Sequence, residues 1–239
     1  MIICGDSIEE MKKMDSESVD LIITSPPYNL MNTTSNSMKT GTSMKWKNNA
    51  IQNGYKSNSD NLPRNEYIKW IRNNLTEMFR LLKPNGAIFF NHKFRVQNGL
   101  IQNHDEILNG FNVRQVIIWA RAGGFNFNQY FFLPTYEVIY MMPKTPKGKD
   151  SFKLKKGGNK LGDVWKINQE RNNSHPAPFP VEIVDNILSS CDGKLVLDPF
   201  GGSGTTAISA LKNGWDYILI DNSSEYCEMA KERISNYGK

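Results

Sequence analysis

The chain has 239 residues, a formal net charge of +5 and a sequence pI of about 9.0. Its length and its 39% hydrophobic content suit one α/β domain over residues 1–239 with its own core. The positive charge favours a polyanionic partner. Its three cysteines, Cys4, Cys191 and Cys227, do not have metal-ligand spacing, and no stretch approaches the roughly 20 apolar residues of a membrane span. We therefore expect a cytoplasmic protein without a metal, and the composition argues against disulfide-rich secreted and membrane proteins.

Hydrophobic periodicity predicts seven strands, with helices between most of them. The strands are Met1–Cys4, Val19–Thr24, Ala87–Asn91, Val113–Trp119, Glu137–Met142, Leu195–Leu197 and Tyr217–Ile220. The helices are Glu66–Leu82, which Lys83–Gly86 should stop, Val181–Leu188, Ser203–Leu211 and Ser224–Ile234. This alternation predicts a doubly wound, mostly parallel α/β sheet. No helical pattern separates the fourth strand from the fifth, so we expect these two to form an antiparallel hairpin at one edge.

Two segments fit neither strand nor helix. Met31–Pro63 is rich in Asn, Ser, Thr and Lys, and a loop this long is often functional, so we predict a lid that contacts nucleic acid. Lys144–Lys160, which we call the basic insert, has seven lysines against one acid, Asp150. We predict that this insert is flexible and follows a phosphate backbone. The lysines expected to bind DNA are Lys144, Lys147, Lys149, Lys153, Lys155 and Lys156.

A glycine-rich turn follows the sixth predicted strand and leads into a helix. Gly201, Gly202 and Gly204 let the backbone approach a ligand closely, and the helix N-terminus favours a carboxylate or a phosphate. The turn matches neither the phosphate-binding nor the dinucleotide-binding glycine motif. Asp198 is placed to meet an ammonium group, and Asp221 ends the next strand, where doubly wound folds hold a ribose. An amino acid joined to a ribose indicates S-adenosylmethionine as cofactor.

The segment Thr24–Tyr28 follows the second predicted strand and reads Thr-Ser-Pro-Pro-Tyr. Its two prolines fix the backbone and remove two N–H donors, which leaves carbonyl oxygens held rigidly. The serine adds a hydroxyl acceptor and the tyrosine a flat ring. A base flipped out of a duplex needs such a ring to stack on and such acceptors at its exocyclic amine. We predict that the catalytic residues are Ser25, Pro26, Pro27 and Tyr28.

With both motifs in this order, the chain resembles the DNA amino-methyltransferases of the permuted (β) group, the N4-cytosine/N6-adenine methylase family. The resemblance covers nearly the whole chain and implies a circularly permuted, seven-stranded S-adenosylmethionine-dependent methyltransferase fold. It also implies that Asp6 accepts a hydrogen bond from the cofactor amine and that the segment His175–Pro180 lies against the methionine part. The expected cofactor-binding residues are Asp6, Phe179, Pro180, Asp198, Phe200, Gly201, Gly202, Ser203, Gly204, Thr205 and Asp221.

The resemblance implies an enzyme that methylates an exocyclic amine of a base in double-stranded DNA after flipping that base. The resemblance associates serine at position 25 with N4 of cytosine and aspartate at the same position with N6 of adenine. N6 of adenine stays the alternative, because a serine hydroxyl and an aspartate carboxylate can each accept one N–H. Two further functions stay open: an inactive nucleic-acid-binding subunit, and a methyltransferase acting on RNA or on a protein glutamine. Carbon-5 methylation of cytosine is disfavoured because none of the cysteines follows a proline. A homodimer and a companion restriction endonuclease stay open as partners.

Several side chains outside the motifs carry weaker expectations. His92 and His104 have no carboxylate or cysteine at ligand spacing, so we predict surface or loop histidines. Trp119 and Arg121 lie at the end of the fourth strand, where they could contact DNA, although Trp119 is equally suited to the core. An aromatic-rich crossing, expected to pack in the core or in a dimer, contains Phe125, Phe127, Tyr130, Phe131 and Phe132.

Overall fold

A computed structural model of the chain describes residues 1–29, 62–97, 99–121, 129–168 and 179–237. The strands in these ranges are β1 Ile2–Cys4, β2 Val19–Thr24, β3 Leu82–His92, β4 Arg95–Gln97, β5 Leu100–Gln102, β6 Gln115–Ala120, β7 Tyr136–Pro143, β8 Val164–Lys166, β9 Leu195–Asp198 and β10 Asp216–Asp221. The α-helices are α1 Ser7–Lys12, α2 Arg64–Leu81, α3 Asp105–Leu108, α4 Val181–Ser190, α5 Thr205–Asn213 and α6 Ser224–Ser235. None of these helices is long and apolar enough to cross a membrane.

Eight strands form one sheet in the order β1-β10-β9-β2-β3-β7-β6-β8. Within it β7 runs antiparallel to both of its neighbours, and the other pairs are parallel. The strands β4 and β5 form a small antiparallel pair of their own. The doubly wound, mostly parallel sheet predicted from the sequence is therefore confirmed. The carboxyl ends of its parallel strands lie along one edge, which we call the carboxyl edge, where an open α/β sheet builds its ligand crevice.

Helices cover both faces of the sheet because its strands are apolar on both sides. On β3, Phe89 faces the cluster that includes α4, whereas Ile88 and Phe90 face the cluster that includes α2. The buried stripe of α2 carries Leu75 and Met78, both fully buried. Burial of each such side chain contributes about 1.5–3 kcal/mol, so the two layers hold the sheet and fix its edge in place.

The count of seven strands and the position of the hairpin were partly wrong. The strands β6 and β7 do form an antiparallel pair. They do not form the edge, however, because β8 pairs in parallel with β6 and covers it. With three residues and one buried side chain, Trp165, β8 is too short to show an alternating pattern in the sequence. The same brevity hides β4 and β5.

The long helix ends within one residue of its predicted end, but the segment expected to stop it is not a turn. The helix α2 ends at Leu81 and β3 begins at the next residue, so Lys83–Gly86 lies inside a strand. The pairing of β2 with β3 shifts register here. Gly86 fits because it lacks a side chain: a Cβ built on it would lie 2.6 Å from the carbonyl oxygen of Asp20. The glycine is thus needed for close approach of two strands and does not end the helix.

We expect Gly86→Ala to destabilise the protein, because a methyl group cannot fit against a backbone carbonyl without moving a strand. The expected loss in the free energy of unfolding is about 1–3 kcal/mol, measured by urea denaturation. Gly162→Ala is the matched control, since a Cβ there meets nothing within 4 Å. Equal effects of the two substitutions would contradict this account of Gly86.

Candidate active site

The two sequence motifs lie side by side because β2 and β9 are neighbouring parallel strands. Thr24 Oγ1 donates a hydrogen bond of 2.8 Å to Asp198 Oδ1. Thr206 Oγ1 donates to the other carboxylate oxygen at 2.7 Å, and the Phe200 N–H donates to Oδ1 at 3.1 Å. The Asp198 carboxylate therefore joins the two motifs through hydrogen bonds to both. Only 6% of Asp198 is exposed, so these hydrogen bonds are shielded from water. A contact of this carboxylate with a ligand ammonium group stays a prediction.

Burial has an electrostatic consequence for Asp198. Removal from water raises the pKa of this carboxyl to about 6, although the hydrogen bonds from Thr206, Thr24 and the Phe200 N–H act in the opposite direction. The nearby Asp221 carboxylate raises it further. The link between the motifs therefore contains a carboxyl group that is costly to keep charged at neutral pH.

The glycine turn (Asp198–Gly204) lies at the carboxyl edge, between β9 and α5. Gly202 and Gly204 have positive φ angles of 48° and 85°, which favour glycine. A Cβ on Gly201 would lie 2.9 Å from the Leu219 side chain. The turn leads into the N-terminus of α5, where Arg233 Nη1 donates to Ser203 Oγ and to Thr205 Oγ1 at 3.2 and 3.1 Å. The geometry provides a narrow cradle with a positive helix end.

Asp221 joins three loops of the carboxyl edge. Its Oδ2 accepts from the Gly202 N–H and its Oδ1 from the Ser223 N–H, both at 2.9 Å. Its carbonyl oxygen accepts from the Gly5 N–H at 2.9 Å. Burial raises the pKa of the Asp221 carboxyl. Each carboxylate oxygen has a second lone pair, so Asp221 can also accept from a vicinal diol.

Asp6 lies beside Gly5 and is exposed. Its Oδ1 accepts from the N–H groups of Ile8 and Glu9 at 3.0 and 3.1 Å and so caps α1. The structure brings Asp6 to the same group of loops as Asp221 and shows a capping role that the sequence analysis missed. Its contact with a cofactor amine stays a prediction.

Phe179 and Pro180 precede α4 at the same edge. The Phe179 ring meets the Trp119 ring edge-to-face at a centroid distance of 6.1 Å, and the Pro180 carbonyl begins α4. Trp119 is 3% exposed and donates from Nε1 to the Ile167 carbonyl at 2.8 Å, so it belongs to the core. The remainder of the predicted methionine-side segment, 175–178, lies outside the described residues.

The segment predicted to be catalytic, Ser25–Tyr28, which we call the catalytic motif, contacts two polar residues that were not predicted from the sequence. Ser25 Oγ and Tyr28 Oη lie 2.7 Å apart, and each lies within hydrogen-bond distance of Asn91 Oδ1 on β3. Glu137 Oε2 is a further acceptor, 3.1 Å from Tyr28 Oη, and the two hydroxyls share two donated protons among these contacts because each has one O–H. The Asn91 amide donates in turn to the Val138 carbonyl at 3.1 Å, which fixes its orientation. A group of acceptors thus surrounds the two side chains predicted to meet a base.

A buried chain of hydrogen bonds supports the second proline. The Lys93 N–H donates to His92 Nδ1 at 2.9 Å, so the neutral ring carries its proton on Nε2 and donates to Tyr67 Oη at 2.8 Å. Tyr67 Oη then donates to the Pro27 carbonyl at 2.9 Å. Burial, together with the nearby His104, holds the pKa of His92 well below its usual range, which keeps this direction of donation.

The prediction of surface or loop histidines is therefore wrong about the surface, and of the two only His104 lies in a loop. His92 is 2% and His104 4% exposed. His104 pairs with Tyr140 Oη at 2.8 Å and stacks on Phe94 at a centroid distance of 4.4 Å, and burial lowers its pKa to about 4. Spacing in the sequence tests for a metal site, but burial depends on which strands cover the loop.

The residue after the motif fixes where the chain leaves the site. Asn29 has a positive φ of 58°, a conformation that Asn tolerates better than most residues. Its side chain donates to the Leu62 carbonyl and accepts from the Leu62 N–H, both at 2.7 Å, and Arg95 donates to its carbonyl. The two ends of the predicted lid, Met31–Pro63, are thereby held together, and residues 30–61 lie outside the described residues.

The aromatic crossing is not a core element where the structure describes it. Tyr130 is 96% and Phe132 98% exposed. They stand between Arg121 and β7, at the carboxyl edge, because β6 ends and β7 begins there. Phe125 and Phe127 lie outside the described residues. The expectation of core packing was wrong for the two exposed rings, and packing in a dimer stays a prediction.

The basic insert lies at the opposite end of the sheet. The Lys144 N–H donates to the Gly86 carbonyl and its Nζ to the Phe79 carbonyl, next to where β2 starts. The Lys155 N–H donates to the Ser190 carbonyl at the end of α4. Strands of six residues span roughly 20 Å, which separates the insert from the carboxyl edge. Five of the six lysines predicted to bind DNA are exposed there: Lys147, Lys149, Lys153, Lys155 and Lys156.

The insert is also less flexible than predicted. Ser151 and Phe152 are buried, and Leu154 makes a β-bridge with Cys191. Arg114 ties the segment to the sheet, because its guanidinium donates to the Phe152 carbonyl at 2.7 Å and to Ser151 Oγ at 2.6 Å. The count of lysines in the sequence does not reveal these contacts.

Comparison with known proteins agrees with the motifs. A family model described as DNA methylase matches residues 19–232. The type II methyltransferase M.HpaI of Haemophilus parainfluenzae is 28% identical over 256 residues, which cover 98% of this chain and 74% of that protein. The DNA adenine methyltransferase YhdJ of Escherichia coli (strain K12) is 26% identical over 264 residues, which cover 98% of this chain and 82% of that protein.

Solved structures show the same fold. The cytosine-N4-specific PvuII DNA methyltransferase superposes with a TM-score of 0.77 at 19% identity and covers 100% of this chain and 87% of its own. The Thermus thermophilus protein TTHA0409, complexed with S-adenosyl-L-methionine, gives a TM-score of 0.68 at 24% identity. The superposition covers 99% of this chain and 93% of TTHA0409. The fold is that of these DNA methyltransferases. The chain belongs to the DNA methylase family that comprises the N4-cytosine and N6-adenine enzymes.

The raised pKa of Asp198 predicts how stability depends on pH. Because its folded-state pKa, about 6, lies above the ordinary value of 3.8, the folded protein binds more protons than the unfolded chain between these pH values. Asp198 therefore contributes most to stability below pH 4, and this contribution falls by about 2–3 kcal/mol as the pH rises to 7. Asp198→Asn does not titrate, so its stability relative to the wild type should rise over the same pH range.

Urea denaturation of both proteins from pH 4 to pH 7 measures this difference. Asp192→Asn removes an exposed carboxylate and is the control for the change of net charge. A flat difference for Asp198→Asn would mean that the buried carboxyl is not costly to ionise.

Proposed function

We propose that the protein transfers a methyl group from S-adenosylmethionine to N4 of cytosine in duplex DNA, after the base has been flipped out of the helix. The observation that carries the proposal is the 2.8 Å hydrogen bond between Thr24 and Asp198. It places the catalytic motif directly beside the glycine turn, so a base and a cofactor bound there would be neighbours. The serine at the first motif position favours cytosine, and a structural neighbour carries the name cytosine-N4-specific.

The residues at the carboxyl edge fit the proposed cofactor. The glycine turn leads into the N-terminus of α5, whose positive end suits the carboxylate of the methionine part. Asp221, with lone pairs beyond those used by Gly202 and Ser223, suits the ribose hydroxyls. Phe200 and Phe179, both partly buried, provide apolar surface at the same edge, and the buried Pro180 follows Phe179 there. Bound S-adenosylmethionine supplies an electrophilic methyl group on a positively charged sulfur.

The catalytic motif then holds the exocyclic amine of the base. Because its lone pair is delocalised into the ring, such an amine is a poor nucleophile until its two N–H bonds are held out of the ring plane. Ser25 Oγ and the Pro26 carbonyl are the acceptors we assign to these bonds. The Pro27 carbonyl is held by Tyr67, which keeps the loop rigid. Acceptor oxygens and the face of the Tyr28 ring stabilise the positive charge that develops on nitrogen.

The proposal is tested by identifying the methylated product. Purified protein is incubated with tritiated cofactor and duplex DNA, RNA or a glutamine-containing protein, and the modified nucleoside or residue is identified by chromatography. We expect N4-methylcytosine from DNA, and sequencing of DNA from a host that expresses the protein should give the target motif. N6-methyladenine, as the name of YhdJ suggests for that relative, would replace the base in this proposal but not the reaction. Absence of product despite cofactor binding would favour an inactive subunit.

The partners follow from the same proposal. Duplex DNA is the substrate, and its access is through the carboxyl edge, where the predicted lid Met31–Pro63 starts and ends. M.HpaI is named as a type II methyltransferase, which supports a companion restriction endonuclease for this chain. A homodimer that uses the exposed rings of Tyr130 and Phe132 is compatible with the same arrangement.

We expect Tyr28 and Asp221 to separate chemistry from cofactor affinity. Tyr28→Ala should lower kcat by about 100-fold or more, because the ring meets the base, and should change affinity for S-adenosylhomocysteine by less than about threefold. Asp221→Ala should weaken that affinity by roughly 10- to 100-fold, since a carboxylate that accepts ribose hydrogen bonds is lost. Isothermal titration and single-turnover kinetics measure the two effects. Loss of cofactor binding in folded Tyr28→Ala would remove the motif from the base site.

We expect the basic insert to contribute little to DNA binding, in contrast to the prediction from its charge. Replacing Lys147, Lys149, Lys153 and Lys156 by Gln should leave the slope of log affinity against log salt unchanged, because these lysines lie at the far end of the sheet. The control removes the same charge from the predicted lid, by Gln at Lys39, Lys45, Lys47 and Lys56. That change should flatten the slope by about 0.9 for each phosphate that is no longer neutralised by a lysine. A flattened slope in the insert variant would restore the insert as the DNA track.

A further inference from the structure

Arg121, directly after β6, has a buried hydrogen-bond donor that no described residue accepts. Its Nε has no hydrogen-bond partner among the described residues, although its side chain is only 13% exposed. Buried donors without a partner are rare in folded proteins. A bound ligand can supply the missing acceptor. Which ligand could do so depends on where Arg121 lies in the site.

The position is fixed by contacts that lead back to the catalytic motif. Arg121 Nη1 lies 3.4 Å from Glu137 Oε1, and Glu137 Oε2 lies 3.1 Å from Tyr28 Oη. Tyr28 Oη in turn lies 2.7 Å from Ser25 Oγ. The guanidinium carbon of Arg121 lies over the Trp119 ring, 5.8 Å from the ring centroid, in a cation–π contact. These contacts hold the guanidinium beside the group that is proposed to meet the exocyclic amine.

The guanidinium is oriented by its ion pair. Because Nη1 faces Glu137, the opposite edge of the planar group, formed by Nε and Nη2, carries two parallel N–H bonds. Two parallel donors match two neighbouring acceptors in one plane. Glu137 is 6% exposed, so the pair is shielded from water and its geometry is retained.

We propose that Arg121, held by Glu137, selects the target base by donating from Nε and Nη2 to the N3 and O2 atoms of cytosine. This inference rests on the proposed function and extends it from the amine to the rest of the base. Cytosine carries N3 and O2 as adjacent acceptors on the edge that begins at N4. Adenine offers a single acceptor, N1, beside its amine, and the next position is a C–H, which leaves one donor unpaired.

The test compares Arg121→Lys with the wild-type protein on two duplexes. Lysine keeps a positive charge opposite Glu137 but lacks the paired donors, so the buried carboxylate is not left alone. One duplex carries the target motif found by sequencing. In the other, the target cytosine is replaced by 2-aminopyridine C-nucleoside, which retains the amine and the ring nitrogen but lacks the O2 carbonyl. Arg72→Lys, whose guanidinium bonds to carbonyls around α3, is the control.

Duplex affinity, from fluorescence anisotropy, and the single-turnover rate are measured for each combination. We expect Arg121→Lys to lose roughly 10- to 100-fold on the cytosine duplex in affinity or rate. On the analogue duplex the loss caused by Arg121→Lys should be at least about threefold smaller than on the cytosine duplex, since the O2 acceptor is absent there and only the ring nitrogen is left for Arg121 to bond. Arg72→Lys should behave as wild type on both duplexes.

Two results would overturn the inference while leaving a DNA amino-methyltransferase in place. One is an equal loss for Arg121→Lys on both duplexes, which indicates a structural role. The other is adenine as the methylated base of the wild-type protein. Failure of the proposed function is recognised separately, because the wild type then yields no methylated nucleoside at all, and the inference fails with it.

Discussion

The hydrogen bond from Thr24 to Asp198 is the contact on which the site depends. It joins two segments separated by 174 positions and places the last residue of β2 against the last residue of β9. Without it the catalytic motif and the glycine turn would still lie at one edge, but their separation would not be fixed. The carboxylate that makes this contact is buried and has a raised pKa, so the protein retains a costly group where two binding loops meet.

A second polar assembly stands behind the motif. The chain from Lys93 through His92 and Tyr67 ends on the Pro27 carbonyl, and each donor in it has one acceptor. A satisfied buried chain of this kind adds little net stability, yet it specifies one orientation of the loop. The prolines limit the backbone angles, and the hydrogen bonds determine where the carbonyl oxygens are held. Rigidity at this point serves the proposed chemistry, because the acceptors must already be in place when the amine becomes pyramidal.

The strand order explains why so many polar side chains meet at one edge. The antiparallel strand β7 brings Glu137, at its beginning, to the same edge as Asn91 and the catalytic motif, at the ends of parallel strands. The crevice is therefore lined by residues from the carboxyl ends of the parallel strands and from the amino end of β7. Its other edge carries the basic insert, which is bound to the ends of α2 and α4. The net charge of the chain does not reveal this separation, because it does not specify at which edge of the sheet the lysines lie.

The sequence by itself determined the class of fold, the two motifs and their order. Apolar runs followed by turn residues mark strand ends, and parallel strand ends share an edge, so the motifs were predicted to meet. It also contained a signal for Asn91, which follows an apolar strand in the same way as Asp198. Glu137, by contrast, begins a strand, and only the antiparallel direction of β7 brings it to the site. The tertiary structure alone decided the burial of His92 and the distant place of the insert, because both depend on contacts between residues far apart in the chain.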